Sequence, residues 1–392
     1  MVYFVRMSQR AGGEAHRSAV RCAIVSAPFS GIDVWLRNLV AMMADRDDVE
    51  IVSSTWMTPP PEVQLGRLPP LRLHWWVSAW WSTVRGLRAM RRRGATADVV
   101  VVNHLSPLVM AGTTSRRTPI VLNLDATPRL TSTMAEHYLG RGARPWRVER
   151  LKIPMYRFSY RRAAHIVAWS EMVRRSLVDD YGVDESRVSV IPNGIDIAAW
   201  QPPTRASDDE PRVLFVGGEF HRKGGGDLVA VASSNDMAGV RFDVVTKSKR
   251  IGETPANVVV HRDLDAASDG LQDLYRRASV FVLPTYADFS PNVLCEAMAM
   301  GLPTISTTVG AIGDIVTDGR TGFLVPPGDT DALRARLREL LTDPDLRARM
   351  GRQARTDVER RFDIRQNVDD FVAVLHETRR RGGVTRDAAD PH

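Results

Sequence analysis

Two carboxylates, Asp288 and Glu296, bracket a turn in Pro284-Thr-Tyr-Ala-Asp-Phe-Ser-Pro-Asn-Val-Leu-Cys-Glu-Ala-Met-Ala-Met-Gly-Leu-Pro303. The apolar run Val280–Leu283 before it predicts a buried strand. A loop over 286–289 follows. Ser290 then reads as an N-cap with Pro291 at the first helical position, and Gly301 and Pro303 stop the helix. Val293, Leu294, Ala297 and Met298 form an apolar stripe at helical spacing, while Glu296 lines up with Asn292 on another face. A helix N-terminus opening at the C-terminal end of a strand favours phosphate. A carboxylate one turn into that helix accepts hydrogen bonds from a diol.

A second stretch adds cations. Gly217-Gly-Glu-Phe-His-Arg-Lys-Gly-Gly-Gly226 follows the predicted strand 212–217 and precedes a helix. Glycines let backbone N–H groups approach a diphosphate, and Arg222 and Lys223 supply two fixed charges. The plainer reading is a surface loop with chance basic residues. In the first half, Gly31 closes a turn between the strand 21–26 and the helix 34–44, as in a dinucleotide-binding unit, though no G-x-G-x-x-G occurs. A simple tight turn is the competing reading there. The strands 98–103 and 119–124 end in Asn103-His104 and in Asp125. Polar side chains at such ends either act on ligands or merely cap the strand. Pro192-Asn-Gly-Ile-Asp196 is turn chemistry and carries Asn193.

These residues need two α/β scaffolds to position them. Strands are predicted over 21–26, 49–54, 98–103, 119–124, 165–170 and 188–191, and again over 212–217, 241–246, 257–261, 279–283 and 303–306. Asp318-Gly-Arg-Thr-Gly322 is a tight turn, and helices follow over 332–341, 345–360 and 368–380. This divides the chain into an extension over 1–19, a first domain over 20–200, a linker over 201–211 and a second domain over 212–361. A last helix over 362–381 and a disordered tail over 382–392 complete it.

The chain has 392 residues, 44% hydrophobic and 25% charged, as expected of a globular protein of about two domains. No apolar run is long enough to span a bilayer, and residues 1–19 lack the apolar core of a signal peptide. Cys22 and Cys295 read as free buried thiols in a reducing compartment, with no metal site. Charge is uneven: residues 1–200 carry 27 Lys/Arg against 17 Asp/Glu, and residues 201–392 carry 26 against 29. Only four basic residues are lysines, an arginine bias that gives little support to nucleic-acid binding. Residues 71–93 combine tryptophans with arginines and no acid, and 141–162 hold eight basic residues with only Glu149 opposing them. Both suit an anionic membrane surface. For 71–93 an aromatic stripe packed on the sheet is the alternative.

The chain resembles the retaining glycosyltransferases of family 4 over roughly residues 20–380. The resemblance rests on Asp288-Phe-Ser-Pro-Asn-Val-Leu-Cys-Glu296, Ala297-Met-Ala-Met-Gly-Leu-Pro303, Val309-Gly-Ala-Ile-Gly-Asp314, Asp318-Gly-Arg-Thr-Gly-Phe-Leu-Val-Pro-Pro-Gly-Asp329, Arg222-Lys-Gly224 and Pro192-Asn-Gly-Ile-Asp196. It implies the GT-B fold: two facing Rossmann-like domains with a cleft between them and a C-terminal helix returning to the first. It implies that Asp288 touches the donor sugar and Glu296 holds the ribose. Phe289, Ser290 and Pro291 would offer backbone groups to the sugar, and Asn292, Val293 and Leu294 their N–H groups to the diphosphate. Arg222 and Lys223 would hold that diphosphate, with Gly218 and Gly31 as close-approach glycines. Asp125 stands where the family often has His. His104 and Asn193 are acceptor-side candidates. Asp288 departs from the family's usual Glu and is one methylene shorter.

The implied activity is transfer of a hexosyl unit, with retention, from a nucleotide-diphosphate sugar to a glycan or lipid-linked acceptor. No cofactor or divalent metal is expected. The setting would be the cytoplasm, peripheral at the inner face of the plasma membrane. A non-catalytic sugar-nucleotide binder, or an epimerase or phosphorylase on the same fold, are the alternatives.

Overall fold

The computed structural model describes residues 19–26, 32–56, 96–103, 118–139, 150–203, 211–265 and 268–387. Contacts divide the chain into two α/β units. One takes residues 1–129, 145–192 and 365–392, the other 130–144 and 193–364.

The first unit begins with β1 (Val20–Ser26), α1 (Ile32–Ala44), β2 (Val49–Trp56), β3 (Val99–Val102) and β4 (Ile120–Leu124). The chain then passes through α2 (Pro128–Thr133) and α3 (Ala135–Leu139), which from Leu130 on group with the second unit although read as part of the first domain, and returns to the first with α4 (Ile153–Arg162), β5 (His165–Ala168), α5 (Glu171–Asp179) and β6 (Val188–Val190). The strands form one parallel sheet in the order β2-β1-β3-β4-β5-β6. Every residue of β3 and β4 is buried. That burial on both faces is why β3 reads as an unbroken apolar run and β4 as one broken only by the buried Asn123.

The second unit runs β7 (Arg212–Val216), α6 (Gly225–Ala232), β8 (Arg241–Val245), β9 (Val258–His261), α7 (Asp269–Arg277), β10 (Val280–Leu283) and α8 (Asn292–Ala299). It ends with β11 (Thr304–Thr307), α9 (Ile312–Ile315), β12 (Gly322–Val325), α10 (Thr330–Thr342) and α11 (Pro344–Arg361). Its sheet is also parallel, in the order β12-β11-β10-β7-β8-β9. After β9 the chain crosses back over β7 to lay down β10. The order therefore reverses between β7 and β10, and in such sheets ligands bind beyond the strand ends at that point. Phe215, Phe242, Phe281 and Tyr275 fill the core beneath.

The final helix, α12 (Ile364–Asp387), belongs to the first unit. Asp369 pairs with Arg46. Asn367 Nδ2 donates to the Pro192 carbonyl at 3.0 Å, and Arg379 Nη1 to the Ala19 carbonyl at 2.8 Å. The tail reading needs correction: residues 382–387 are helical, with Gly382 packed on Pro119, and only 388–392 lie outside the described residues. The sequence reading names no helix for α2, α3, α4 or α7 and no strand for β12. The stretch 193–200, read as the end of the first domain, groups with the second unit. Ile195 N donates to the Phe362 carbonyl at 2.9 Å, and Arg355 Nη1 to the Trp200 carbonyl at 2.6 Å. Cys22 and Cys295 are free and buried, and burial pushes each thiol up to about 12. No helix among the described residues is long and apolar enough to cross a membrane.

Candidate active site

The loops after β7 and β10 are joined main chain to main chain. Tyr286 N and Thr285 Oγ1 both donate to the Arg222 carbonyl, at 2.9 and 3.2 Å. Buried hydroxyls fix the second loop from beneath: Thr307 Oγ1 donates to the Thr285 carbonyl and Ser306 Oγ to the Leu283 carbonyl, each at 2.7 Å. Gly224 makes the approach possible. It adopts φ +78°, and a Cβ there would lie 1.9 Å from the Pro284 carbonyl oxygen. Gly310, at φ +59°, lets a third loop reach the Asp288 carbonyl oxygen, 1.8 Å from where its Cβ would be.

This joining sets the charged groups side by side. Lys223 Nζ donates to Asp288 Oδ2, with both side chains largely shielded from water. Arg222 Nη1 donates to the Ala287 carbonyl at 2.5 Å, while Nε and Nη2 donate to Glu219 at 3.0 and 2.7 Å. The Arg222 guanidinium also lies 4.6 Å from the centroid of the Tyr138 ring. Burial works against its charge, but Glu219 and the surrounding negative groups hold its pKa above the usual value. Arg222 is thus a clamp on the loop that carries Asp288 as well as a cation.

The helix start differs from the sequence reading. The N-cap of α8 is Pro291, with no side-chain cap bond, and Ser290 lies ahead of it. Leu294 N is committed to the Pro291 carbonyl at 3.1 Å, which removes it from the expected diphosphate donors. Asn292 and Val293 precede that bond, where helical amides lack intrahelical partners. No acidic residue occupies the first turn, so the positive end of the dipole is uncompensated locally.

Glu296 is half-buried one turn further on. Enclosure raises its pKa to about 7, and the Tyr275 hydroxyl, donating to Oε2 at 3.0 Å, pulls it partly back. Tyr275 itself is fully buried on α7, stacked on Phe281 and edge-on to Trp200. Asn193, expected on the acceptor side, is buried, and its Nδ2 donates to Asn292 Oδ1 at 2.9 Å. It therefore braces the start of α8.

Gly218, Arg222, Lys223, Asp288–Leu294, Glu296 and Asn193 all lie in the second unit, at or beside these loops. The Gly218 carbonyl accepts from Ser248 Oγ at 3.0 Å, which ties the segment after β8 to the same loop. Asp125 lies in the first unit, directly after β4. Gly31, His104, residues 71–93 and residues 141–149 lie outside the described residues.

Sequence reading missed Tyr275, Glu219 and Tyr138. Tyr138 on α3 stacks on Phe289 with ring centroids 5.9 Å apart and planes 2° from parallel. The neighbouring His137 stacks on Tyr286 at 5.7 Å. Nothing local marks Glu219 or Tyr138; the helix carrying Tyr275 is signalled by the Ser268 N-cap, which accepts from Leu271 N at 3.3 Å, and by the helical spacing of Leu271, Leu274 and Tyr275. Among the described residues no cluster of His, Cys, Asp and Glu is arranged to hold a metal ion.

Residues 29–199 match the family model described as Glycosyltransferase Family 4, and residues 210–343 the one described as Glycosyl transferases group 1. The chain belongs to the family 4, group 1 glycosyltransferases. Among curated members of that family's kind, the chain is 30% identical to alpha-maltose-1-phosphate synthase of Mycolicibacterium smegmatis over 52% of its length and 62% of the relative's. It is 29% identical to D-inositol 3-phosphate glycosyltransferase of Paenarthrobacter aurescens, over 50% of the chain and 53% of the relative. The matched stretch thus spans little more than half of these relatives. Sucrose-phosphate synthase of Thermosynechococcus elongatus superposes with a TM-score of 0.70 at 19% identity, covering 91% of this chain and 98% of that one. Anabaena HepE in complex with UDP-glucose gives 0.64 at 17% identity, covering 91% and 99%. The fold class is GT-B.

Proposed function

We propose that the protein is a retaining hexosyltransferase that uses a nucleotide-diphosphate sugar. The observation that carries this reading is the meeting of Lys223 and Asp288 beside the uncapped start of α8, with Glu296 one turn along the same helix. In this reading Glu296 accepts hydrogen bonds from the ribose diol. Lys223, Arg222 and the first amides of α8 face the diphosphate, and Asp288 meets the sugar. The HepE neighbour, solved in complex with UDP-glucose, supports the choice of such a donor.

The reaction forms a bond from the acceptor oxygen to the anomeric carbon and breaks the bond from that carbon to the diphosphate oxygen. Negative charge grows on the departing diphosphate, where fixed cations and helical amides stabilise it without reorganising. The acceptor proton passes to a phosphate oxygen of the leaving group on the same face, so no side-chain nucleophile is assigned. Lys223 and Arg222 supply the charge compensation, and no cofactor or divalent metal is invoked.

The acceptor in this reading is a hydroxyl of a glycan or a lipid-linked sugar at the inner face of the plasma membrane. The support is the basic excess of the first half of the chain. The test is ligand-shift melting against UDP-, GDP- and ADP-sugars, followed by turnover with Lys223→Ala and Glu296→Ala. Normal turnover in either variant sinks the donor-site assignment. Binding without turnover across a broad acceptor panel favours the non-catalytic binder, which the mutual neutralisation of Lys223 and Asp288 would suit.

A further inference from the structure

The described part of the basic segment 141–162 is a turn over Arg150–Lys152 running into α4. One face of α4 is built into the first unit: Tyr156, Ser159 and Tyr160 are buried, and both tyrosines meet Tyr181 edge-on. Arg187 donates to the Tyr160 carbonyl at 3.1 Å and to the Ala163 carbonyl, which fixes the helix C-terminus. The opposite face is unusual. Leu151 is 80% exposed, Met155 45% and Phe158 47%. Met155 and Phe158, three apart, share a face of α4, and Leu151 stands exposed in the turn just before it. Arg150, Arg157 and Arg161 are exposed beside it, with Lys152 and Arg162 half-buried. No acidic residue occurs from Arg150 to Arg162.

Single exposed apolar side chains are ordinary, but three within eight residues of a basic turn and an anchored helix are not. We propose that the Leu151–Met155–Phe158 ridge docks on an anionic lipid bilayer, with its tips at the headgroup–acyl boundary and the flanking arginines at the lipid phosphates. Charge complementarity selects this occupant. A second copy packed symmetrically on the ridge would bring like charges together. A stable protein interface needs roughly 800 Å² per partner with a matching shape, which one convex ridge does not offer. A lipid surface needs only apolar tips and cations, the composition of interfacial helices. A nucleic acid would use the arginines but not the ridge. The inference rests on the proposed function only for where the acceptor lies.

The experiment uses the full-length protein without donor or acceptor, so its outcome is separate from that of the turnover assay. Vesicles of phosphatidylcholine with and without phosphatidylglycerol are sedimented with wild type and with Leu151→Ser/Met155→Ser/Phe158→Ser. Wild type is expected to sediment only with the phosphatidylglycerol vesicles, and the triple variant to bind at least about tenfold more weakly. A second measurement does not depend on how the triple variant folds. Met155→Cys carries an environment-sensitive fluorophore, the native thiols being buried. Its emission is expected to rise with phosphatidylglycerol vesicles alone. Unchanged emission while the protein sediments places the contact elsewhere and overturns the proposal. So does a triple variant that changes oligomeric state but not vesicle binding, or a wild type that ignores anionic vesicles.

Discussion

The Tyr275 hydroxyl donates to Glu296 Oε2 at 3.0 Å from a ring held between Trp200 and Phe281. Enclosure favours the protonated acid and this bond favours the carboxylate; the balance leaves Glu296 at about 7. Tyr275→Phe keeps the ring contacts and removes the donor, so the Glu296 pKa moves further up. Because the diol needs a carboxylate, the donor KM is expected to rise about threefold at pH 7 and to converge with wild type at high pH. The pH profile of KM checks this. A loss equal at every pH would mean that the hydroxyl acts only structurally.

The same group sets a stability slope. The folded pKa of Glu296, about 7, lies above its ordinary 4.5, so the native state keeps a proton that the unfolded chain has released. Stability is therefore fullest below about pH 4.5 and falls as pH rises to about 7, by at most about 3 kcal/mol. Glu296→Gln abolishes that slope. Melting curves of the ligand-free variant should match wild type in acid and exceed it at pH 8, while the shift caused by the donor is lost.

Lys223 and Asp288 should show a split between stability and activity. Lys223→Ala leaves a shielded carboxylate without its cation and should lower the melting temperature, and turnover should fall by about 10²-fold or more. Lys223→Ala/Asp288→Ala removes the stranded charge and should regain part of the lost stability without regaining turnover. A double variant that recovers activity would show the pair to be only a structural bridge.

Glycines in one loop should differ sharply. Gly224→Ala must place a Cβ against the Pro284 carbonyl at positive φ and should cost more than about 3 kcal/mol, or prevent folding. At Gly218 a Cβ meets nothing within 4 Å, so Gly218→Ala should leave chemical denaturation within about 1 kcal/mol of wild type. Equal effects at both positions would contradict the close approach of the two loops.

The parallel strands were legible because burial on both faces writes itself as apolar runs, as in Val99–Val102 and Val280–Leu283. The loop chemistry at 288–296 and 222–224 was legible because its spacing is local. α7 was not read, although Leu271, Leu274 and Tyr275 stand at helical spacing: three apolar positions in nine otherwise polar residues make a short signal. Ser290 carries every local mark of an N-cap, yet the helix starts one residue later, behind Pro291. The links Tyr275–Glu296, Asn193–Asn292 and Tyr138–Phe289 join residues far apart in sequence, and only packing brings them together.

The membership of α12 in the first unit bears on the order in which a ribosome could deliver a folded protein. Residues 193–364, nearly all of the second unit, leave the exit tunnel before the last helix of the first does. The second unit can close on itself while the first still waits for Asp369 to reach Arg46 and for Arg379 to reach Ala19. Through that interval the nascent first sheet lacks α12 and stays exposed to chaperones and proteases until that helix emerges.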